Sequence, residues 1–227
     1  MRYPIVLFDL DHTLLDSDAS AQAAFDMTMR SIDVEPTAEV FAVYDGINQA
    51  LWRQVEAGHI TPHDVKVRRF ERLLAQLGVR GSAADMGATF VQVLTDHGDL
   101  YPDALELLDS IAGHARVAMV TNGIGPVQRG RLDRLGIASY FEVVSISGEL
   151  AMSKPARAIF DHTLAELGVT ERSDVVMIGD SLSSDIAGGA NADIDTIWFN
   201  PHGVPQGSSS PTHEAGSLSA ISDLLAG

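Results

Sequence analysis

Pro4-Ile5-Val6-Leu7-Phe8-Asp9-Leu10-Asp11 is the stretch from which the fold is read. Its apolar run has no polar alternation, as a strand buried on both faces requires, and it stops at two carboxylates flanking Leu10. The pattern recurs. Arg116-Val117-Ala118-Met119-Val120 runs into Thr121-Asn122-Gly123, Val143-Val144-Ser145-Ile146 is a weaker version, residues 174–178 run into Gly179-Asp180, and residues 195–199 end at Asn200-Pro201. Helical spacing fills the intervals at 104–112, 126–135, 156–167 and 185–191, and a last helix is expected at 218–225. Strand and helix in alternation predict an α/β fold with a doubly wound parallel sheet.

Residues 18–97 break this rhythm. They carry helical spacing, as at Phe25, Met29 and Ile32 and at Phe70, Leu73, Leu74 and Leu77, with turn signals at Glu35-Pro36, Gly58 and Thr61-Pro62. The expected organisation is a core of residues 1–17 and 98–227 with a helical insertion, 18–97, over the carboxyl edge of the sheet, where open α/β folds bind ligands. Such an insertion is a candidate lid. Residues 201–217, rich in Gly, Pro and Ser, read as a surface loop with no packed core.

The chain has 227 residues, with 15 Lys+Arg against 31 Asp+Glu for a net charge of -16. That balance is the reverse of what counterion release from a nucleic-acid backbone requires, so a polynucleotide partner is not expected. A small phosphomonoester is compatible with it, because a metal ion and one or two placed cations override net charge inside a cleft. The absence of cysteine excludes disulfides, thiolate zinc sites and a thiol nucleophile, and fits a reducing compartment. No stretch approaches 18 apolar residues and residues 1–10 lack the apolar region of a signal peptide. A cytoplasmic protein without membrane partners is expected, as a monomer or a dimer.

Four strand ends or strand-to-helix loops deliver polar groups to the same sheet edge. Asp9 and Asp11, two apart on an extended segment, present both carboxylates to one side. Such a pair holds a hard cation, divides into nucleophile and proton-transfer group, or is simply solvated. Thr121-Asn122-Gly123 offers a hydroxyl and turn amides to a phosphate, or merely caps its turn. Lys154, before Pro155 at the expected start of a helix, neutralises phosphate charge or lies solvated at the surface. Asp180 stands at a strand end behind Gly179, and Asp185 lies near a helix N-terminus, where capping alone would explain it.

Taken together, these groups suit phosphoryl transfer. Two unit charges 4 Å apart repel by about 4 kcal/mol at an effective dielectric near 20, so a carboxylate meets a phosphate monoester only if that repulsion is cancelled. Mg2+ held by Asp9 and Asp180, with Lys154 opposite and Thr121 on the transferring oxygens, supplies the charge. Asp9 then attacks phosphorus, and Asp11 protonates the leaving oxygen and later deprotonates the hydrolytic water, help worth roughly 10²–10⁴.

Asp9-Leu10-Asp11-His12-Thr13-Leu14, Thr121-Asn122-Gly123, Lys154-Pro155 and Gly179-Asp180 with Asp185 resemble the four motifs of the haloacid dehalogenase superfamily. The resemblance covers nearly the whole chain. It implies a Rossmann-like core with a helical cap, a magnesium-dependent aspartyl-phosphate mechanism, and metal ligation by the side chains of Asp9 and Asp180 and the backbone carbonyl of Asp11. Asp185 is implied to support the metal shell or Lys154.

Asn48-Gln49-Ala50-Leu51-Trp52, Gly58-His59-Ile60-Thr61, Arg69-Phe70-Glu71 and residues 189–192 are similar to the branch of pyrimidine 5'-nucleotidases. That likeness implies a nucleoside monophosphate such as dUMP, dTMP or UMP as substrate, with Asn48, Trp52 and Arg69 as specificity residues. Helical spacing equally allows Trp52 and Phe70 to be core residues and Arg69 to pair within the cap. Ala151 stands where relatives usually carry glycine, which predicts a reshaped loop before Lys154.

A sugar-phosphate or phosphoglycolate phosphatase of the same superfamily is the main alternative. A haloacid dehalogenase would have no use for Asp11, since halide leaves without a proton. A phosphomutase would not need so large a helical insertion, and a phosphate-accepting signalling module lacks one.

Overall fold

The computed structural model describes residues 1–227. In chain order it comprises β1 (Ile5–Phe8), then α1 (Ser17–Arg30), α2 (Ala38–Glu56), α3 (Pro62–Leu77) and α4 (Ala83–Asp96). Next come α5 (Ala104–Ile111), β2 (Arg116–Thr121), α6 (Gly125–Arg134), β3 (Val143–Ile146), a short α7 (Ser147–Leu150) and α8 (Arg157–Glu166). The chain closes with β4 (Val175–Gly179), α9 (Ala187–Asn191), β5 (Asp195–Phe199), β6 (His213–Ala215) and α10 (Leu218–Ala226).

The strands form one sheet in the order β3-β2-β1-β4-β5-β6, and every neighbouring pair is parallel. Because side chains alternate across a strand, Val6, Phe8, Val117 and Met119 pack on one face with Leu107 and Leu108 of α5 and Ile221 of α10. Leu7, Ala118, Val120 and Met177 pack on the other with Ile159, Phe160 and Leu164 of α8. Both faces are thus covered, which explains why the central strands read as continuous apolar runs. The strand order turns at β1, whose neighbours are β2 and β4, so residues just beyond Phe8 emerge at the switch point where such sheets bind ligands.

Helices α1 to α4 surround their own core, in which Phe25, Tyr44, Phe70 and Phe90 are fully or almost fully buried. Tyr44 touches each of the other rings, at centroid distances of 5.1 Å to Phe25, 6.0 Å to Phe70 and 5.5 Å to Phe90. Local sequence sets the helix ends. Thr61 and Asp64 form a capping box with Pro62 in the first turn of α3, and Gly78 at φ 66° ends that helix. The two connections to the sheet run side by side through an antiparallel bridge between Leu15 and Leu100.

Three local expectations are corrected. The 201–217 stretch is not all surface loop: β6 pairs with β5, Phe199 opposite Ala215, and Ala215 is buried. A three-residue edge strand with polar His213 and Glu214 lacks an apolar run to betray it. Pro155 does not open α8, which starts two residues later at Arg157. Residues 182–186 form a π-helical turn, so Asp185 precedes α9 instead of opening it. No helix is long and apolar enough to cross a membrane.

Candidate active site

Lys154 is the centre of the charged cluster. Its side chain is 1% exposed, and Nζ lies 2.7 Å from Asp9 Oδ1 and 2.6 Å from Asp185 Oδ1. The Asp185 contact is a hydrogen bond, whereas Asp9 Oδ1 is close but off line and has no hydrogen-bond donor. Asp185 Oδ2 accepts from the Ser181 amide at 3.0 Å. This carboxylate presses against Gly179 so closely that a Cβ there would fall 2.2 Å from Oδ2, which is the reason for glycine at the end of β4.

Asp180 is fixed through its backbone. Its N–H donates to Thr13 Oγ1 at 3.1 Å, and its carbonyl accepts from Trp198 Nε1 at 2.7 Å. Thr13 is fully buried, and nothing in the sequence around it announces a hydroxyl bonded 167 residues away. Carboxylate oxygens of Asp9, Asp180 and Asp185 lie within 4.8 Å of one another.

One ammonium among three carboxylates leaves the cluster short of positive charge. Burial pushes Asp9 up to about 7, aided by the Asp185 charge and opposed by Lys154. Burial and the Asp9 charge push Asp180 up to about 6. Burial also raises Asp185. Lys154 is driven down by burial, yet Asp185 and Asp9 more than reverse this and hold it above its ordinary value. The lysine therefore stays charged, and any proton the cluster takes up goes to the carboxylates. An oxygen-rich, electron-rich donor set with an unbonded Asp9 oxygen fits a hard divalent cation.

The Thr121-Asn122-Gly123 turn is partly committed to structure. Asn122 Nδ2 donates to the Lys154 carbonyl at 3.0 Å and Oδ1 accepts from the Lys154 amide at 2.9 Å, so this side chain locks the lysine loop. The Gly123 amide donates to Ser147 Oγ at 3.0 Å. Thr121 Oγ1 accepts from Gln128 Nε2 at 3.0 Å, which leaves its own proton free to be donated. Ala151 adopts φ 53°, the left-handed conformation that glycine favours, and Lys154 still reaches the cluster.

Asp11 opens onto the same cavity as Asp9 but answers to other partners. Its Oδ1 accepts from Ser17 Oγ and, at 2.7 Å, from Arg131 Nη1; its Oδ2 accepts from Gln128 Nε2 at 2.7 Å. Burial pulls Asp11 upward, but Arg131, Ser17 and Gln128 outweigh it and hold the carboxyl below the usual range. Gln128 and Arg131 were missed by sequence reasoning. Their only signal was the i, i+3 spacing on α6, directly after the Thr121 turn.

These groups line a cavity of about 540 Å³, within the range of small-molecule sites. Its other wall comes from the helical layer: Phe41, Tyr44, Asn48, Trp52, Arg69 and Phe90. Trp52 is only partly buried, whereas Phe70 belongs to the core. Asn48 Oδ1 is buried without a partner. Arg69 spends Nη1 on the Tyr44 hydroxyl and Nε on the Val65 carbonyl, both at 3.1 Å, and its guanidinium lies 4.8 Å from the Phe90 ring centre. It pairs inside the layer with a phenol and a carbonyl and borders the cavity from behind.

The profile of the haloacid dehalogenase-like hydrolase family matches residues 3–193. The chain is 35% identical to the pyrimidine 5'-nucleotidase YjjG of Escherichia coli, with 99% of both proteins covered. It is also 35% identical to the pyrimidine 5'-nucleotidase PynA of Streptococcus pneumoniae, over 99% of this chain and 96% of that one. Among solved structures, the HAD-hydrolase YfnB of Bacillus subtilis, bound to magnesium and showing interdomain movement, matches with a TM-score of 0.90 at 30% identity and covers 99% of both chains.

Proposed function

The chain belongs to the haloacid dehalogenase-like hydrolase family, and from that membership we propose that it is a magnesium-dependent phosphomonoesterase, a 5'-nucleotidase acting on pyrimidine nucleoside monophosphates. The observation that carries this reading is one cavity joining two chemistries: a carboxylate–lysine cluster on the sheet edge and an aromatic wall on the helical layer. The names of the two 35% identical relatives support the choice of a pyrimidine nucleotide.

The oxygens of Asp9 and Asp180, with the backbone carbonyl of Asp11, would hold the magnesium ion, which supplies positive charge against the phosphate oxygens. Asp185 has one oxygen on Lys154 and the other on the Ser181 amide, so its part is to hold the lysine. Thr121 donates its hydroxyl proton to a phosphoryl oxygen, with the Asn122 amide beside it. An Asp9 oxygen attacks phosphorus; as that O–P bond forms, the ester O–P bond breaks and its electron pair leaves with the nucleoside oxygen. That oxygen takes a proton from the Asp11 carboxyl, which is ionised in the empty cavity and acquires this proton from solvent when the negative charge of the phosphate enters beside it. Water then attacks the aspartyl phosphate, Asp11 takes its proton, and Asp9 is released with inorganic phosphate.

Residues 18–97 act as the cap in this reading. Closure excludes water and chooses the leaving group, and the interdomain movement of YfnB supports such mobility. The enzyme works on free nucleotides in the cytoplasm, consistent with a chain that has no cysteine.

A panel of nucleoside monophosphates, sugar phosphates and phosphoglycolate, assayed for phosphate release with Mg2+, tests the proposal. Multiple turnovers with preference for dUMP, dTMP or UMP, abolished in Asp9→Asn, are expected. Preference for a sugar phosphate or phosphoglycolate would overturn the nucleotide assignment, and full activity in Asp9→Asn would overturn the mechanism.

A further inference from the structure

Arg131 projects from α6 and is 3% exposed, yet none of the four motifs contains it. Its donors divide between two parts of the molecule. On the core side, Nη1 donates to Asp11 Oδ1 at 2.7 Å and to Gln128 Oε1 at 3.3 Å. Toward the cap, Nε donates to the Leu94 carbonyl in α4 at 2.9 Å, and Nη2 donates to Ser20 Oγ in α1 at 3.0 Å. A Cβ on Gly130 would fall 2.4 Å from Thr95 Cγ2, so α6 packs against the Thr95 side chain of α4 with no room for a side chain at Gly130.

A buried guanidinium tolerates few unmet donors, because desolvated N–H groups without partners are costly. Movement of α1 and α4 away from α6 removes two of Arg131's acceptors and loosens the side chain that grips Asp11. Gln128 does not share this dependence: it donates to Asp11 Oδ2 and to Thr121 Oγ1, both within the core. Arg131 is therefore the one α6 donor to Asp11 that is also bonded to the cap.

We propose that Arg131 is a positioning residue whose hold on Asp11 Oδ1 is firm while the cap is docked and loosens when the cap lifts, so that proton transfer to the leaving group is coupled to closure. This rests on the reading of Asp11 as the proton-transfer group. It predicts a dependence on leaving group, since a nucleoside alkoxide needs a proton to depart and a nitrophenolate does not.

The experiment uses the full chain with Mg2+ and two probes, thymidine 5'-monophosphate and p-nitrophenyl phosphate. Thermal melts establish that each variant is folded. Arg131→Met should lower kcat for thymidine monophosphate by roughly 10²-fold, within the range of acid–base contributions, with KM changed less than about threefold. Single-turnover release of p-nitrophenolate, with enzyme in excess, should fall by less than about threefold. Arg131→Lys should recover part of the loss, and Ser20→Ala, which keeps the cation and removes one cap acceptor, should lower kcat for the nucleotide alone. Asp11→Asn with Arg131→Met should be no slower than Asp11→Asn.

Equal losses on both probes, or additive losses in the double variant, would overturn the role of Arg131 as positioning residue. Asp9→Asn separates the two levels of the argument. Turnover retained there defeats the underlying reading, whereas an inactive Asp9→Asn with equal losses in Arg131→Met defeats only the coupling. Should Arg131→Met not fold, Ser20→Ala and Arg131→Lys decide by the same ratio of the two probes.

Discussion

Lys154 and Asp185 form an ion pair with Nζ 2.6 Å from Oδ1 and side chains 1% and 0% exposed. Removing the cation strands a buried carboxylate beside Asp9. Breaking such a pair from one side costs about 3–5 kcal/mol, more than a surface pair could. Lys154→Met is expected to lose that much stability in urea denaturation at pH 8 and to lose activity. The double variant Lys154→Met, Asp185→Asn should regain part of the stability and none of the activity. A single variant within about 1 kcal/mol of the parent would show that the pair is not load-sharing in this way.

The acid behaviour of the cluster sets a direction for metal binding. Burial pushes Asp9 up to about 7 and, with the Asp9 charge, Asp180 up to about 6, both above the ordinary carboxylate value of 3.8. Protons and cation compete for the same oxygens, so affinity for Mg2+ should weaken as pH falls through 7 to 6, with protons released on binding. Titration calorimetry in two buffers of different ionisation enthalpy checks the release. Binding without pH dependence across that window contradicts the assignment of the ligands.

The same shifts bear on stability with the opposite sign from a salt-bridged carboxylate. Because the folded state holds these protons more tightly than the unfolded chain, ionisation of Asp9 and Asp180 penalises the metal-free fold above pH 7, and the penalty is removed as pH falls toward 4. Compared with the parent, Asp9→Asn should show a flatter stability profile between pH 7 and 5. Saturating Mg2+ should flatten the parent too. Chemical denaturation at each pH measures both.

Ala151 occupies a conformation in which an L side chain is strained by roughly 1 kcal/mol. Ala151→Gly should therefore raise stability only slightly, by up to about 0.5 kcal/mol after the larger entropy of a glycine in the unfolded chain is subtracted. Activity should be retained, since Lys154 is held by Asn122 independently of this residue. A destabilised variant would mean that the Ala151 methyl makes compensating contacts.

The aromatic cap wall predicts discrimination by the base. Stacking of a base on an aromatic ring is worth about 1–3 kcal/mol, so Trp52→Ala should raise KM for thymidine monophosphate by roughly 5- to 150-fold. Asn48→Ala should raise it by up to about tenfold, the value of one hydrogen bond. Neither should change KM for p-nitrophenyl phosphate by more than about twofold, and parallel changes on both substrates would remove these residues from base recognition.

How much of this was legible can be judged residue by residue. Asp9, Lys154, Asp180 and Asp185 were picked out because each follows an apolar strand or precedes a helix, and parallel pairing carries such positions to one edge. Thr13, Gln128 and Arg131 were not, because their meaning is a partner: Asp180 for Thr13, Asp11 for the other two. Asn122 is expected at the phosphate from its place in the turn, and the sequence does not show that its side chain also locks the Lys154 backbone. The β6 strand was hidden by its polar residues, since an edge strand buries too little to need an apolar run.

What the linear chain settled alone was periodicity. Runs buried on both faces had to pair in parallel beneath covering helices, and residues 18–97, with period near 3.6 and no such run, had to form helices with an interior of their own. Which partners the charges take was decided only by the folded chain. Electrostatic attraction and hydrogen bonding depend on distances of a few ångströms, and those are set by side chains packed 31 to 167 positions apart, as Lys154 is from Asp185 and Thr13 from Asp180.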